Sequence, residues 1–224
     1  MSTIKFSKDT LTVLSNYTSI NSSILFREGN RLKTMSVGQS CIAEYTCEET
    51  FPVQFGIYDL NQFLLTLELF DEPVLEINDS QSGIIKGAGR SCKYVFTGPN
   101  VKVISAPEND VVFPDTDIEF TIKMEDMAAL KKASNVYKYK DLRFTSTVSG
   151  VSISILDREN STGNVFTIDL PGQSVGEYEL FMKIDNLAIV PGDYTVSISA
   201  SRKISRWKQN NNLELTYYIA FEPE

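Results

Sequence analysis

Cys41, Cys47 and Cys92 are the only thiols in this 224-residue chain, and it contains no histidine. Without imidazole there can be no Ser-His-Asp triad, no Cys-His dyad and no histidine metal site. An odd cysteine count with no C-x-x-C pair argues against both a disulfide framework and a zinc site. The three are therefore expected to be reduced thiols that pack as small hydrophobes. "GAGRSC" (Gly87 to Cys92) begins like a dinucleotide fingerprint but lacks the third glycine and a following helix, so it reads as a tight hairpin turn. No G-x-x-x-x-G-K-[ST] phosphate loop is present. Acidic residues are plentiful, yet no pair stands out as a catalytic dyad. These residues offer no enzyme, and neither a cofactor nor a metal is expected.

The remaining chemistry is that of surfaces. Formal net charge is −8, which argues against a broad basic face for nucleic acid but leaves room for a small one. At 42% hydrophobic and 22% charged residues the composition is globular. No apolar run reaches the roughly 18–20 residues of a membrane span, and no signal-peptide core opens the chain. A soluble, intracellular protein without membrane contact is expected, in which the N-x-S/T matches at Asn16, Asn21, Asn78 and Asn160 are chance.

Such surfaces need elements to carry them, and the elements are mostly strands. "VSISIL", "YTVSISA" and "LELTYYIAF" alternate apolar and polar residues, as half-buried strands do. "SILFRE", "RLKTMSV", "CIAEYTC", "PVLEIN" and "KYVFTG" read the same way, with "EGNR", "DSQSG" and "RENSTG" as hairpin turns. Four helices interrupt them. In "SKDTLTVLSNYTSI" Ser7 is the expected N-cap, Asp9 suits the helix dipole, and Leu11, Leu14 and Thr18 form the inward stripe. "DLNQFLLTLELF" starts at Asp59 and turns Leu60, Phe63, Leu64 and Leu67 inward. "MEDMAALKKASNVY" turns Met127, Leu130 and Ser134 inward, and the short "DNLAIV" is stopped by Pro191 and Gly192.

The first and third helices each follow a short strand, and the second and fourth each begin at an aspartate after a strand. A unit of strand, helix and three strands thus occurs twice in each half, although short helices on antiparallel sheets are common enough for coincidence. The division expected is a domain over 1–105, a connector over 106–117 and a second domain over 118–224. The connector "SAPENDVVFPDTD" sets Val111, Val112 and Phe113 among acids and prolines.

Several strings carry a resemblance. "FSKDTLTVLSNYTSINSSILF", "IYDLNQFLLTL" and "IDNLAIVPGDYTVSI" resemble the sliding clamps of T-even-type bacteriophages, the processivity factors of their DNA polymerases. "LTYYIAFEPE" is similar to the C-terminal strand of the wider clamp superfamily, which includes proliferating cell nuclear antigen. The resemblance implies an α+β DNA-clamp fold, with two similar domains of antiparallel sheets and two helices per domain facing a central hole. It also implies a ring-shaped homotrimer. The implied partners are encircled double-stranded DNA, the replicative DNA polymerase, a clamp-loader ATPase and, in late transcription, transcription factors with RNA polymerase, in the cytoplasm of an infected bacterial host.

The residues fit that implication. Helical faces left exposed are neutral or basic, and the DNA-facing set is read as Lys8, Ser15, Asn61, Lys131, Lys132, Asn135, Lys138 and Lys183. Ser15 is a departure, because the family usually carries a basic residue there. A partner-peptide pocket is expected from Val37, Val111, Val112 and Phe113 with Tyr218, Ile219, Ala220 and Phe221. Subunits are expected to join through Tyr94 and Phe96 of "CKYVFTG" against Phe166 and Ile168 of a neighbour's "NVFTIDL". Two other classes stay open: a β-rich virion structural protein, and a hydrolase working through carboxylates alone, such as a glycosidase.

Overall fold

A computed structural model describes residues 2–97, 103–148 and 150–223. Gly98, read as the end of an interface strand, and the outer domain limits at Met1 and Glu224 lie outside the described residues. The chain divides into two compact units, Met1–Glu108 with Leu213–Leu215, and Asn109–Asn212 with Thr216–Glu224.

In the first unit the elements run β1 (Ser2–Ile4), α1 (Lys8–Tyr17), β2 (Ile24–Phe26), β3 (Gly29–Met35), β4 (Cys41–Phe51), β5 (Phe55–Ile57), α2 (Leu60–Leu67), β6 (Val74–Ile77), β7 (Ser82–Gly87) and β8 (Arg90–Val95). Strands β1, β6, β7 and β8 form an antiparallel sheet in that order, with β8 at one edge. The "GAGRSC" turn joins β7 to β8 through left-handed Ala88 and Gly89 (φ 48° and 76°), as a tight hairpin requires. "EGNR" is not a hairpin turn: β2 pairs with β5, whereas β3 begins within that string and pairs with β4. Aromatic rings fill this core. Phe26 stacks on Phe55 at 4.7 Å, and Phe55 on Phe96 at 4.4 Å.

Helix α1 starts where Ser7 accepts from the Thr10 amide at 3.1 Å. Its inward stripe is Thr10, Val13, Leu14 and Tyr17, while Leu11 and Thr18 are only half-buried. The shift from the expected stripe has a polar cause, because the buried Thr10 hydroxyl donates to the Glu49 carboxylate at 2.6 Å. Helix α2 is capped by Asp59, which accepts from the Gln62 amide at 2.8 Å. It buries Leu60, Phe63 and Leu67 and half-buries Leu64, much as its apolar spacing predicts.

The second unit carries β9 (Ile118–Ile122), α3 (Met124–Tyr137), β10 (Asp141–Thr147), β11 (Gly150–Leu156), β12 (Phe166–Leu170), β13 (Gly172–Ser174), β14 (Tyr178–Lys183), a 3-10 turn (Ile184–Leu187), β15 (Tyr194–Ser199), β16 (Ile204–Gln209) and β17 (Leu215–Ala220). One sheet has the order β12-β11-β10-β14, with β12 at an edge. Another pairs β13 with β9, β9 with β15, β15 with β16 and β16 with β17. Trp207, Tyr194, Tyr217, Phe120, Phe144 and Phe221 make its aromatic core. Helix α3 buries Met127, Leu130, Ala133 and Ser134, and so follows the expected stripe.

The fourth helix shrinks to the 3-10 turn. The Tyr217 hydroxyl accepts from the Val190 amide at 3.1 Å, and the Tyr194 hydroxyl donates to the Val190 carbonyl. Those two tyrosines draw the chain after Leu187 into the core before a helix can continue. Strand, helix or helical turn, and three strands nonetheless occur in order twice per unit, with β13 added in the second. This is an α+β architecture of antiparallel sheets with few helices.

Candidate nucleic-acid and partner interfaces

Three helices each leave one face to solvent. On α1 this face holds Lys8, Thr12 and Ser15, at the i, i+4, i+7 spacing of one stripe. On α2 it holds Asn61, Gln62 and Leu65. On α3, Lys132 and Asn135 are exposed, and Lys131 is half-buried beside them. Burial pulls the Lys131 ammonium below its usual pKa, so its charge is costlier to keep than in water. Lys138 ends the helix in the left-handed region (φ 60°) and stands exposed.

Lys183 does not belong with them. Its ammonium hydrogen-bonds Asp141 and lies 3.7 Å from a Glu222 oxygen. The bond to Asp141 raises its pKa, despite some desolvation. Two carboxylates already engage this cation, so a phosphate would have to compete with them. The reason lies outside its own segment, because Asp141 arrives through the β10–β14 pairing. In the same 3-10 turn Asp185 takes Lys140 at 2.8 Å.

The sheet edges come next. Strands β8 and β12 each terminate a four-stranded sheet. Ser91, Lys93 and Val95 are exposed along β8, and Thr167 and Asp169 along β12. Tyr94 is half-buried against Phe63, ring to ring at 5.2 Å. Phe166 and Ile168 are half-buried opposite Ile155 and Ile153 of β11. Phe96 lies past the end of β8 and is 3% exposed, stacked on Phe55. It is a core ring, and Val95, 70% exposed, is the apolar side chain that this edge presents. A hollow of about 470 Å³ between α2 and β8 is lined by Tyr58, Gln62, Lys93 and Val95 among others.

The connector and the residues just before it are fastened by side-chain donors. Asn21, Arg27 and Lys33 donate to the carbonyls of Ile104, Ala106 and Glu108 at 3.0, 2.9 and 3.2 Å. Side-chain donors thus hold alternate carbonyls of an extended segment, as a neighbouring strand would. Farther along, Asp117 donates its amide to Ile198 and accepts from the Ala200 amide, both at 2.8 Å. Val112 is 90% exposed, while Val111 and Phe113 are half-buried. Phe113 leans on Tyr218 at 6.3 Å.

Strand parity divides the expected pocket. Tyr218 and Ala220 are half-buried, whereas Ile219 (0% exposed) and Phe221 (5%) point the other way, with Phe221 edge-on to Phe144 at 5.3 Å. Ile219 and Phe221 are therefore core residues and line no surface with Phe113. Val37 is exposed in the turn between β3 and β4. Arg206 was invisible to the sequence reading, yet its guanidinium lies 4.8 Å from the Phe113 ring centroid. Its signal was the period of two in "ISRWKQ", which puts Arg206 on the face opposite the buried Trp207.

Burial pushes the Cys41 and Cys47 thiols up to about 12, far from the thiolate that nucleophilic chemistry needs. Among the described residues no group of three Cys, Asp or Glu side chains is placed to hold a metal ion. No described helix is long and apolar enough to cross a membrane.

A family described as DNA polymerase processivity factor matches residues 7–85. The sliding clamp of Vibrio phage KVP40 is 32% identical over 98% of this chain and 99% of its own. The sliding clamp of Escherichia phage RB69 is 26% identical over 99% and 98%. The solved structure of A. fulgidus PCNA with the C-terminal region of FEN-1 bound has a TM-score of 0.74. It covers 100% of this chain and 99% of that one at 15% identity, which is a likeness of fold.

Proposed function

The chain belongs to the sliding clamps of T-even-type bacteriophages, which are DNA polymerase processivity factors, and from that premise we propose that it closes into a homotrimeric ring around duplex DNA and tethers the replicative polymerase. It does so without catalysis, in the cytoplasm of the infected host, after loading by an ATPase. The observation that carries this reading is the exposed cationic and amide face of α3 on a chain of net charge −8. A few lysines around a hole give contacts with phosphate that carry no sequence information. Many more would anchor the ring, since each neutralised phosphate adds a salt-dependent affinity term. The acidic remainder keeps DNA off other surfaces.

Ring closure is proposed to pair the β8 edge of one subunit with the β12 edge of the next. An uncovered strand edge invites pairing, and head-to-tail contacts close when the rotation fits. Arg90 and Lys93 on one edge face Asp169 on the other in this scheme, so charge supports the pairing. The domains of the ring are those expected from the sequence, 1–105 and 118–224, with the connector 106–117 receiving partner peptides. A C-terminal region bound to A. fulgidus PCNA favours peptide capture of that kind. Late-transcription factors and RNA polymerase are proposed to use the same exterior.

Particle images and processivity decide the reading. A ring with a central hole, and longer products from the phage polymerase on primed templates at physiological salt, are the expected results. Irregular or filamentous assemblies with no gain in product length would return the chain to the virion-module class.

A further inference from the structure

The outward face of the second unit's sheet holds an arrangement that neither encirclement nor ring closure uses. Strand register places Arg206 opposite Ser197 on one side and opposite Tyr218 on the other. The guanidinium donates from Nη2 to the Ser197 hydroxyl at 3.1 Å. Its Cζ lies over the Phe113 ring, which in turn leans on Tyr218. Arg206 is half-buried, and Val112, the residue before Phe113, is 90% exposed. Among the described residues no carboxylate is within ion-pair distance of it. Glu119 shares its row but is paired with Ser197, two strands away. In a chain with 29 acids, a half-buried arginine without one is a vacancy for an anion.

The Phe113 ring covers one side of the guanidinium and leaves its other N–H groups open to a ligand. A guanidinium is a planar fork of N–H donors whose geometry matches a carboxylate. Partial burial against the Phe113 ring lowers the local dielectric and strengthens such a pair. We propose that Arg206 recognises a carboxylate of the partner peptide, while Val111, Val112 and Phe113 receive the apolar side chain beside it. The proposal rests on the connector being the peptide site. The carboxylate is either the peptide's own C-terminus or an Asp or Glu side chain close to it.

The test is a binding titration of a labelled C-terminal peptide of the phage polymerase against wild type, Arg206→Gln and Arg206→Lys. The peptide is used as the free acid, as the C-terminal amide, and with its acidic side chains changed to amides. Wild type should lose about ten-fold or more in affinity for one of the two altered peptides, and which one names the source. Arg206→Gln should bind the free acid as weakly as wild type binds that altered form, and should no longer distinguish the two. Arg206→Lys should recover part of the difference. If Arg206→Gln weakens all forms equally, Arg206 only holds Phe113 and the proposal fails. It fails too if Arg206→Gln changes nothing, with the connector still the peptide site. If no form binds wild type, the connector reading falls and this proposal with it.

Discussion

Glu49 and Thr10 are joined across 39 positions of sequence, the Thr10 hydroxyl donating to Oε2 at 2.6 Å while Oε1 accepts from the Ser7 amide. The carboxylate of β4 therefore caps the start of α1 and fixes the helix whose other face carries Lys8 and Ser15. Burial alone would raise the Glu49 pKa, but the hydrogen bonds from Thr10 and Ser7 outweigh it and lower the pKa. A carboxylate with a lowered folded pKa stabilises above its unfolded value and loses that contribution as pH falls through the folded one. Glu49→Gln should cost about 1–3 kcal/mol at neutral pH. Urea melts of both proteins should converge below the ordinary glutamate range, near pH 4 and under. A gap that stays constant into acid would mean that the charge of Glu49 is not what holds α1.

The α3 lysines should separate DNA function from folding, but not equally. Lys132→Glu is an exposed change and should alter stability by no more than about 0.5 kcal/mol. Lys131→Glu places a carboxylate where burial already disfavours charge, so it should cost more. Both should shorten polymerase products on long templates, most clearly as salt rises. Normal products from the double variant at physiological salt would take these residues off the DNA face.

The free edge of β12 allows a positional test of ring closure. Successive N–H groups along a strand alternate between the paired and the open side. Of Thr167→Pro and Ile168→Pro, one should therefore damage β11–β12 pairing, while the other removes only an outward donor. The variant that keeps the wild-type melting temperature should be a monomer by light scattering. Wild type should run at about three times its 25.1 kDa chain mass. A wild-type mass at the single-chain value in high micromolar solution would defeat the trimer.

What the sequence made legible follows the range of the forces involved. Helix α3 was readable to its ends, and α2 to its cap, because Asp59 and the apolar spacing are local signals. The α1 stripe slipped because Thr10 is buried for a carboxylate that arrives from β4. Lys183 looked like a free cation for the same reason, since Asp141 is 42 residues away. Phe96 and Phe221 were misplaced differently. Both are aromatic and both sit in segments of functional promise, but strand parity alone would have sent Phe221 inward with Tyr217 and Ile219. The period of two in "ISRWKQ" sets Arg206 on the face opposite Trp207 but does not say what it meets there, because Phe113 comes from the connector, far away in sequence.

That parity reshapes the experiment on the connector. Phe221→Ala removes a ring packed against Phe144 and should cost about 3–5 kcal/mol of stability. Its loss of peptide binding would therefore report unfolding as much as recognition. Val112 is the better probe, because it is exposed and its removal disturbs no core contact. Val112→Asp should leave the melting temperature within a degree or so of wild type, as surface changes usually do. The same variant should abolish capture of the polymerase peptide, because an acid replaces the apolar side chain and repels an acidic ligand beside Arg206. Val112→Ala should lose less, in proportion to the apolar area removed. Full binding by Val112→Asp would show that Val111, Val112 and Phe113 pin the connector and receive nothing.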